Sequence, residues 1–243
     1  MIARRLLLIG ASSLAVSACG GNLLGLGPPD AGPIYMVTPK FPGPAAGGDK
    51  VKWALAILRP EAAAGLNTDR IALTQPDGRM DYYASATYPD RLANIIQQAL
   101  LDGFESSGRI DAVAREQEAL SADYYLAVDL KDFAAHYGQQ DGIPGVSVSI
   151  TVKLTTARGR DIVGSFSTTQ TVTASANSAG AVAGALQQAL GAAVTQIVNW
   201  TLMAPYPATR QPVANASPGK PAEELLHDAT RGTNRAGERP APQ

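Results

Sequence analysis

The most distinctive chemical setting in this 243-residue sequence belongs to Cys19, its only cysteine. The residues just before it, Val16-Ser17-Ala18, are small, and they close an apolar stretch that begins at Leu6 after two arginines. About eleven apolar residues are too few to cross a bilayer as a helix, which takes roughly 20, but they suit the centre of a secretory signal. Val16 to Cys19 resembles a bacterial lipobox, with cleavage between Ala18 and Cys19 and acylation of the Cys19 thiol. An ordinary signal peptide is the alternative.

Histidine-based catalysis or metal binding is disfavoured, because the sequence contains only two histidines, His136 and His227. A hydrolase triad needs a histidine oriented by a carboxylate, which Asp132 or Asp141 could supply to His136. The sequence contains no Gly-x-Ser-x-Gly motif to present a serine nucleophile. We therefore expect His136 to be a solvated loop residue, and we expect the protein not to be an enzyme.

Other ligand classes are disfavoured in the same way. Asp129 and Asp132 are three residues apart on a predicted strand, so they should face opposite sides of the sheet and not share one cation. There is no Gly-Lys-Ser or Gly-Lys-Thr for a nucleotide phosphate, and one cysteine allows neither an intramolecular disulfide nor a thiolate metal cage. Lys plus Arg number 20 against 21 for Asp plus Glu, which gives no basic footprint for nucleic acid. We expect no cofactor, no metal and no nucleic-acid partner.

Composition divides the chain into four parts. Residues 1–18 are predicted to be the signal peptide, and residues 19–50, with the lipidated Cys19, a flexible tether rich in Gly and Pro. Residues 51–204 contain only four prolines and form the one predicted folded domain. Residues 205–243 are rich in Pro and Ala and poor in large apolar side chains, so they are predicted to be a disordered tail that folding does not require.

Within 51–204 the hydrophobic periodicity predicts an α+β fold, a two-layer sandwich of a mostly antiparallel sheet with two helices packed on one face. One helix should begin at Pro89 and end at Gly108, and the other should run from Ser178 to Met203. The motif Gly180-x-x-x-Gly184 is typical of close packing, here against the sheet rather than in a membrane. Strands are predicted over 51–58, 70–74, 80–83, 110–114, 124–133, 146–155 and 161–172.

Alternation along the strands also predicts where side chains point. The face bearing Ser147, Ser149, Thr151, Lys153 and Thr155 should be polar and solvent-facing. Each adjacent tyrosine pair should split, with Tyr82 and Tyr124 turned inward and Tyr83 and Tyr125 outward. Asp69 and Arg70, beside a predicted hairpin, are read either as a partner-binding pair or as a surface ion pair worth about 0–1 kcal/mol.

Residues 65–110, followed by 122–133, resemble the ABC-type transport auxiliary lipoprotein family, which includes a paraquat-inducible lipoprotein. The shared marks are Thr68-Asp69-Arg70-Ile71, Tyr82-Tyr83 and the Leu-x-Val-Asp-Leu-x-x-Phe segment 126–133. The family's usual Trp before the first helix is replaced by Tyr88. The resemblance implies a non-catalytic subunit that works with a mammalian-cell-entry-type periplasmic protein, an ABC permease and an ATPase in the transport of lipids or hydrophobic compounds.

The lipobox and the resemblance together predict a protein on the periplasmic side of the envelope, held at the outer membrane by acyl chains on Cys19. It would dock a transport assembly through protein contacts, and a homo-oligomer is compatible with that role. An adaptor or assembly lipoprotein of another envelope complex is the alternative. A hydrolase is the third and least favoured reading.

Overall fold

The computed structural model describes residues 32–41, 49–119, 121–138 and 142–204. The predictions for the signal peptide, the Cys19 cleavage and acylation site, Asp141 and the tail 205–243 lie outside these residues. Eight strands and two helices follow one another in the order β1 (Val51–Ile57), β2 (Glu61–Ala62), β3 (Arg70–Thr74), β4 (Met80–Thr87), α1 (Leu92–Ser107), β5 (Ile110–Arg115), β6 (Tyr124–His136), β7 (Gly145–Thr156), β8 (Ile162–Thr173) and α2 (Ala179–Met203).

The sheet is organised around β6, the longest strand. One edge of β6 pairs along its whole length with antiparallel β7, which in turn pairs with antiparallel β8. The other edge pairs in parallel with β1, β2 and β3 in succession, and the sheet branches there because β1 carries β5 and β3 carries β4. The predicted α+β class is confirmed; the sheet is mixed, with its longest ladders antiparallel.

Both helices cover one face of this sheet, as the alternation predicts. Leu126, Val128 and Leu130 of β6 are buried beneath them, together with every second residue of β7 from Val146 to Leu154. The other face is polar, and hydroxyl groups bond across it from Ser149 to Thr169 and from Thr151 to Ser167, each at 2.9 Å. The core therefore lies in the single layer between sheet and helices.

A β-bulge in β6 overturns one prediction. Asp129 lies opposite Thr151 and Asp132 lies opposite Ser149, with the register shifting between Leu130 and Asp132. An extra residue on one strand reverses the alternation beyond it. Asp129 and Asp132 therefore share the polar face instead of facing opposite sides. Asp129 pairs with Lys131, and within the described ranges no group of three or more His, Cys, Asp or Glu side chains is placed to hold a metal ion.

Helix α1 begins at Leu92 and not at Pro89. The preceding segment is held by the loop before β3, because the Tyr88 N–H donates to the Asp69 carbonyl at 2.6 Å and the Leu92 N–H donates to the Thr68 carbonyl at 3.1 Å. These bonds keep Pro89 and Asp90 outside the helix, and Arg91, the residue before α1, is extended. The other end is as predicted, since Gly108 caps α1 with φ 61° in the left-handed region.

Residues 32–41 form what we call the N-terminal strap; over these residues the tether predicted for 19–50 is wrong, while 19–31 and 42–48 lie outside the described residues. The Tyr35 N–H donates to the Thr87 carbonyl at 2.8 Å, and the Thr38 N–H donates to Oε1 of Gln187 in α2 at 3.2 Å. Val37 is buried in the core. The strap therefore belongs to the fold, although its composition is that of a linker.

Two glycines of α2, Gly180 and Gly191, face the strap and not the sheet. A Cβ added at Gly180 would lie 3.2 Å from the Tyr35 ring, and one at Gly191 would lie 3.3 Å from Pro39, whereas nothing lies within 4 Å of the same position on Gly184. The predicted packing of these glycines against the sheet is therefore wrong. Among the described residues, α2 is the one helix whose length and apolar composition would suffice to cross a bilayer, but 61% of its most apolar stretch is buried inside the fold.

Candidate docking surfaces

Arg70 and Asp69 do not act as a pair. The Arg70 guanidinium lies over the Tyr82 ring, 3.9 Å from its centroid, while the Asp69 carboxylate accepts a hydrogen bond from the Thr68 hydroxyl at 3.2 Å. The Tyr82 hydroxyl donates to the Gly65 carbonyl at 2.9 Å. The cation–π contact thus holds the Arg70 side chain of β3 against Tyr82 of β4. The hydroxyl bond of Tyr82 ties the loop before β3 to the same strand.

His136 is the last residue of β6, so the prediction of a solvated loop histidine is wrong in position. Its Nε2 lies 2.8 Å from Asp132 Oδ2, and both side chains are partly exposed. In the described part of the chain, no serine or threonine hydroxyl hydrogen-bonds to His136. The two groups form a surface pair at the end of the strand, without the nucleophile that a triad requires.

A line of three polar groups joins separate elements near the same end of the sheet. The Tyr83 and Tyr137 hydroxyls are 2.7 Å apart, and the Tyr137 hydroxyl donates to Asn177 Oδ1 ahead of α2. Burial, and next the hydrogen bond to Tyr137, raise the pKa of Tyr83 well above its usual value. No sequence pattern predicts this chain of hydrogen bonds, because Tyr137 and Asn177 lie in loops without a regular pattern.

The predicted split of the tyrosine pairs holds for one pair only. Tyr124 is buried and meets Trp53 edge-to-face at 5.3 Å between ring centroids, while Tyr125 is half-buried. Tyr82 and Tyr83 are both half-buried. The register of β3 and β4 shifts between Arg70 and Ala72, and Ser85 has φ 50°, so strict alternation fails along β4.

Exposed apolar side chains are found at both ends of the fold. We call the end where the described chain begins the leading end; it carries Ile34, Met80 and Ile143, which are 63%, 44% and 45% exposed. The opposite end, where α2 finishes, is called the trailing end. It carries Ile162 and Met203, which are 68% and 70% exposed, beside a stacked pair formed by Phe166 and Trp200 at 5.5 Å.

The depressions on the described surface are small or open. One of about 140 Å³ lies beside β2 and is lined by Arg59, Glu61, Asp129 and Lys153 among others. A larger one, about 370 Å³, runs along the edge of β5 as an open groove. Binding pockets for drug-sized molecules typically measure about 300–1,000 Å³ and bury most of their ligand, which an open groove does not.

Comparison with known proteins gives a consistent picture. An uncharacterised protein from Bradyrhizobium diazoefficiens is 28% identical over 167 residues, which is 69% of this chain but 44% of that protein, so the chain spans less than half the length of this curated relative. A crystal structure of a DUF330 family protein from Xanthomonas campestris is 30% identical, with a TM-score of 0.65, and covers 70% of this chain and 94% of that one.

A second solved structure, of an uncharacterised protein, shares the fold at 14% identity and a TM-score of 0.53, covering 68% of this chain and 99% of that one. The sequence model of a lipoprotein family matches residues 35–198, from the strap into the last turns of α2. The match includes most of the strap, in agreement with its packing on the helices. The chain belongs to the family of ABC-type transport auxiliary lipoprotein components.

Proposed function

We propose that this protein is a non-catalytic, lipid-anchored subunit that docks an ABC-type transporter of lipids or hydrophobic compounds, with a mammalian-cell-entry-type periplasmic protein as its direct partner. The observation that carries the proposal is the family match over residues 35–198, which include all eight strands, α1 and most of α2. The anchor would be the acylated Cys19, which follows the lipobox-like Val16-Ser17-Ala18. The protein would then lie on the periplasmic side of the envelope, at the outer membrane.

The trailing end is the surface that we assign to this partner. Ile162, Met203 and the half-buried Trp200 all contribute apolar surface at this end, and tryptophan and methionine are enriched at protein interfaces. The leading end receives the chain from Cys19, so the trailing end is directed away from the anchor. The surface suits a protein partner with an apolar contact segment in the periplasm.

Site-specific photo-crosslinking in cells tests this assignment. A photoreactive residue at Met203 or Ile162 should crosslink to the mammalian-cell-entry-type protein, and the same residue at Ile143 of the leading end serves as the control. In a Cys19→Ser variant, palmitate labelling should disappear and the crosslink should weaken. Crosslinks from the trailing end to a different envelope protein would instead support the adaptor or assembly role.

Docking without lipid carriage is a separate part of the proposal. It is supported by the described depressions, which are small or open, and by a core that lies in one layer between sheet and helices. Protein lacking residues 1–19 should therefore yield no stoichiometric phospholipid on extraction. One phospholipid per chain in that extract would make the protein a lipid carrier and overturn the docking-only role.

A further inference from the structure

The leading end gathers three exposed apolar side chains from three separate elements. Met80 lies opposite Thr74, which pairs with His136 at the end of β6. Ile143 lies in the loop after that strand, where the Ala174 N–H donates to the Pro144 carbonyl at 3.0 Å. Ile34 lies in the strap next to Tyr35, whose ring contacts Gly180 in the first turn of α2. All three therefore project from the side of the fold at which β6 ends and α2 begins.

The strap shows from which direction the preceding chain approaches. Tyr35 contacts Gly180 at the start of α2, and Pro39 contacts Gly191 eleven residues later, so the strap runs along α2 from its first turn toward its last. Gly32 is pressed against the Ser85 carbonyl, since a Cβ there would lie 1.5 Å from that oxygen. The chain that connects Cys19 to the fold consequently reaches it at the leading end.

The length of that connection limits how the fold can be oriented. Cys19 and Gly32 are 13 positions apart, which spans at most about 45 Å at full extension. Helix α2 has 25 residues and measures about 37 Å from the leading end to the trailing end. Bringing the trailing end to the bilayer would use nearly all of the available chain, whereas the leading end reaches it without that constraint.

We infer that the leading end is a bilayer-contact surface, with Ile34, Met80 and Ile143 resting in the interfacial region of the membrane that holds the acyl chains. The inference rests on the acylation of Cys19 proposed above. It commits the fold to one orientation, in which the bilayer covers the leading end and the trailing end with Met203 points into the periplasm.

The charges around this surface indicate what kind of lipid contact it makes. The hairpin tip that leads to Met80 carries Asp77, Arg79 and Asp81, all exposed, and His136 pairs with Asp132 nearby. Carboxylates outnumber basic groups there, so these described residues form no polybasic patch that would attract anionic lipid. The contact should depend on apolar side chains, and anionic lipid should not strengthen it.

Fluorescence depth measurement on the full-length acylated protein tests the orientation. The protein is reconstituted into vesicles of phosphatidylethanolamine and phosphatidylglycerol, and an environment-sensitive dye is placed at Met80→Cys or Ile143→Cys, with Met203→Cys and Ile162→Cys as controls. The acylated Cys19 thiol is blocked, so only the introduced cysteine reacts. Leading-end dyes should shift to the blue and be quenched by spin-labelled lipids, while trailing-end dyes should do neither.

Two results would overturn the inference. One is the same emission at all four positions in protein whose acylation has been verified by mass. The other is a blue shift at the leading end that spin-labelled lipids do not quench, because a second protein molecule would then cover this surface. An unacylated Cys19 would instead contradict the proposed anchor. Ile34→Asp with Ile143→Asp, in solvent-exposed positions, should abolish the shift of a dye at Met80→Cys.

Discussion

Gly103 of α1 lies directly against Val194 of α2: a Cβ added to Gly103 would come within 2.5 Å of Val194 Cγ1. The same added atom would lie 3.6 Å from the ring of Phe41, the last residue of the strap. Two helices and the strap thus meet at a residue without a side chain. Close approach at this point lets both helices sit on one face of the sheet while the strap fits over them.

Gly103→Ala should therefore destabilise the fold, although alanine is the better helix former. Overpacking typically costs about 1–3 kcal/mol, which exceeds the roughly 1 kcal/mol that alanine gains over glycine inside a helix. Gly184→Ala is the matched control, since nothing lies within 4 Å of its Cβ position, and it should raise the melting temperature. Thermal unfolding followed by circular dichroism measures both. Equal stabilisation by the two substitutions would show that α1 can move away from α2 without cost.

The strap offers a second prediction through Gly32. In Gly32→Ala the new methyl group would overlap the Ser85 carbonyl oxygen, and moving the two backbones apart would strain the bonds that Thr87 makes with Tyr35 and Pro33. We expect the Tyr35 amide to exchange its hydrogen faster, with little change in the β6 and β7 amides. Hydrogen exchange read by NMR measures this, and Gly145→Ala, which meets nothing within 4 Å, is the control. Unchanged protection at Tyr35 would place its anchoring elsewhere in the strap.

Tyr88 has a hydroxyl that the fold buries without using. The residue is 3% exposed, its ring meets Phe133 edge-to-face, and among the described residues its hydroxyl has no hydrogen-bond partner. Burying an unpaired hydroxyl costs about 1–3 kcal/mol, so Tyr88→Phe should leave the free energy of unfolding unchanged or raise it. Tyr83→Phe should lower it by about 1 kcal/mol, because the Tyr83 hydroxyl is bonded to Tyr137. Urea unfolding compares the two. A loss in Tyr88→Phe as large as that in Tyr83→Phe would mean that the Tyr88 hydroxyl has a partner after all.

Strand alternation was enough to predict the buried face of β7 and of β6 up to Leu130, because one residue in two must face the helices along these regular ladders. The same rule failed at Asp132, which follows a bulge at Lys131, and along β4, where Ser85 has a left-handed backbone conformation. No local residue type predicts either irregularity. The strap was missed for a different reason. Its Gly and Pro content is that of a linker, and its place is set by glycines on α2 far away in sequence.

The buried phenol of Tyr88 and the half-buried phenol of Tyr83 also predict how stability depends on pH. Burial raises the pKa of Tyr88 well above its usual value of 10.0, and burial together with the Tyr137 bond does the same for Tyr83. A raised pKa means that the folded state holds the phenol proton more tightly than the unfolded chain. The resulting stability is fully present below pH 10 and is lost as the pH rises beyond it. The free energy of unfolding should fall steeply between about pH 10 and pH 12, and the fall should be smaller in Tyr88→Phe.

Tyr125→Phe, which removes a half-exposed phenol, is the control. Equal slopes in Tyr88→Phe and in the unsubstituted protein would show that Tyr88 ionises without opposing the fold.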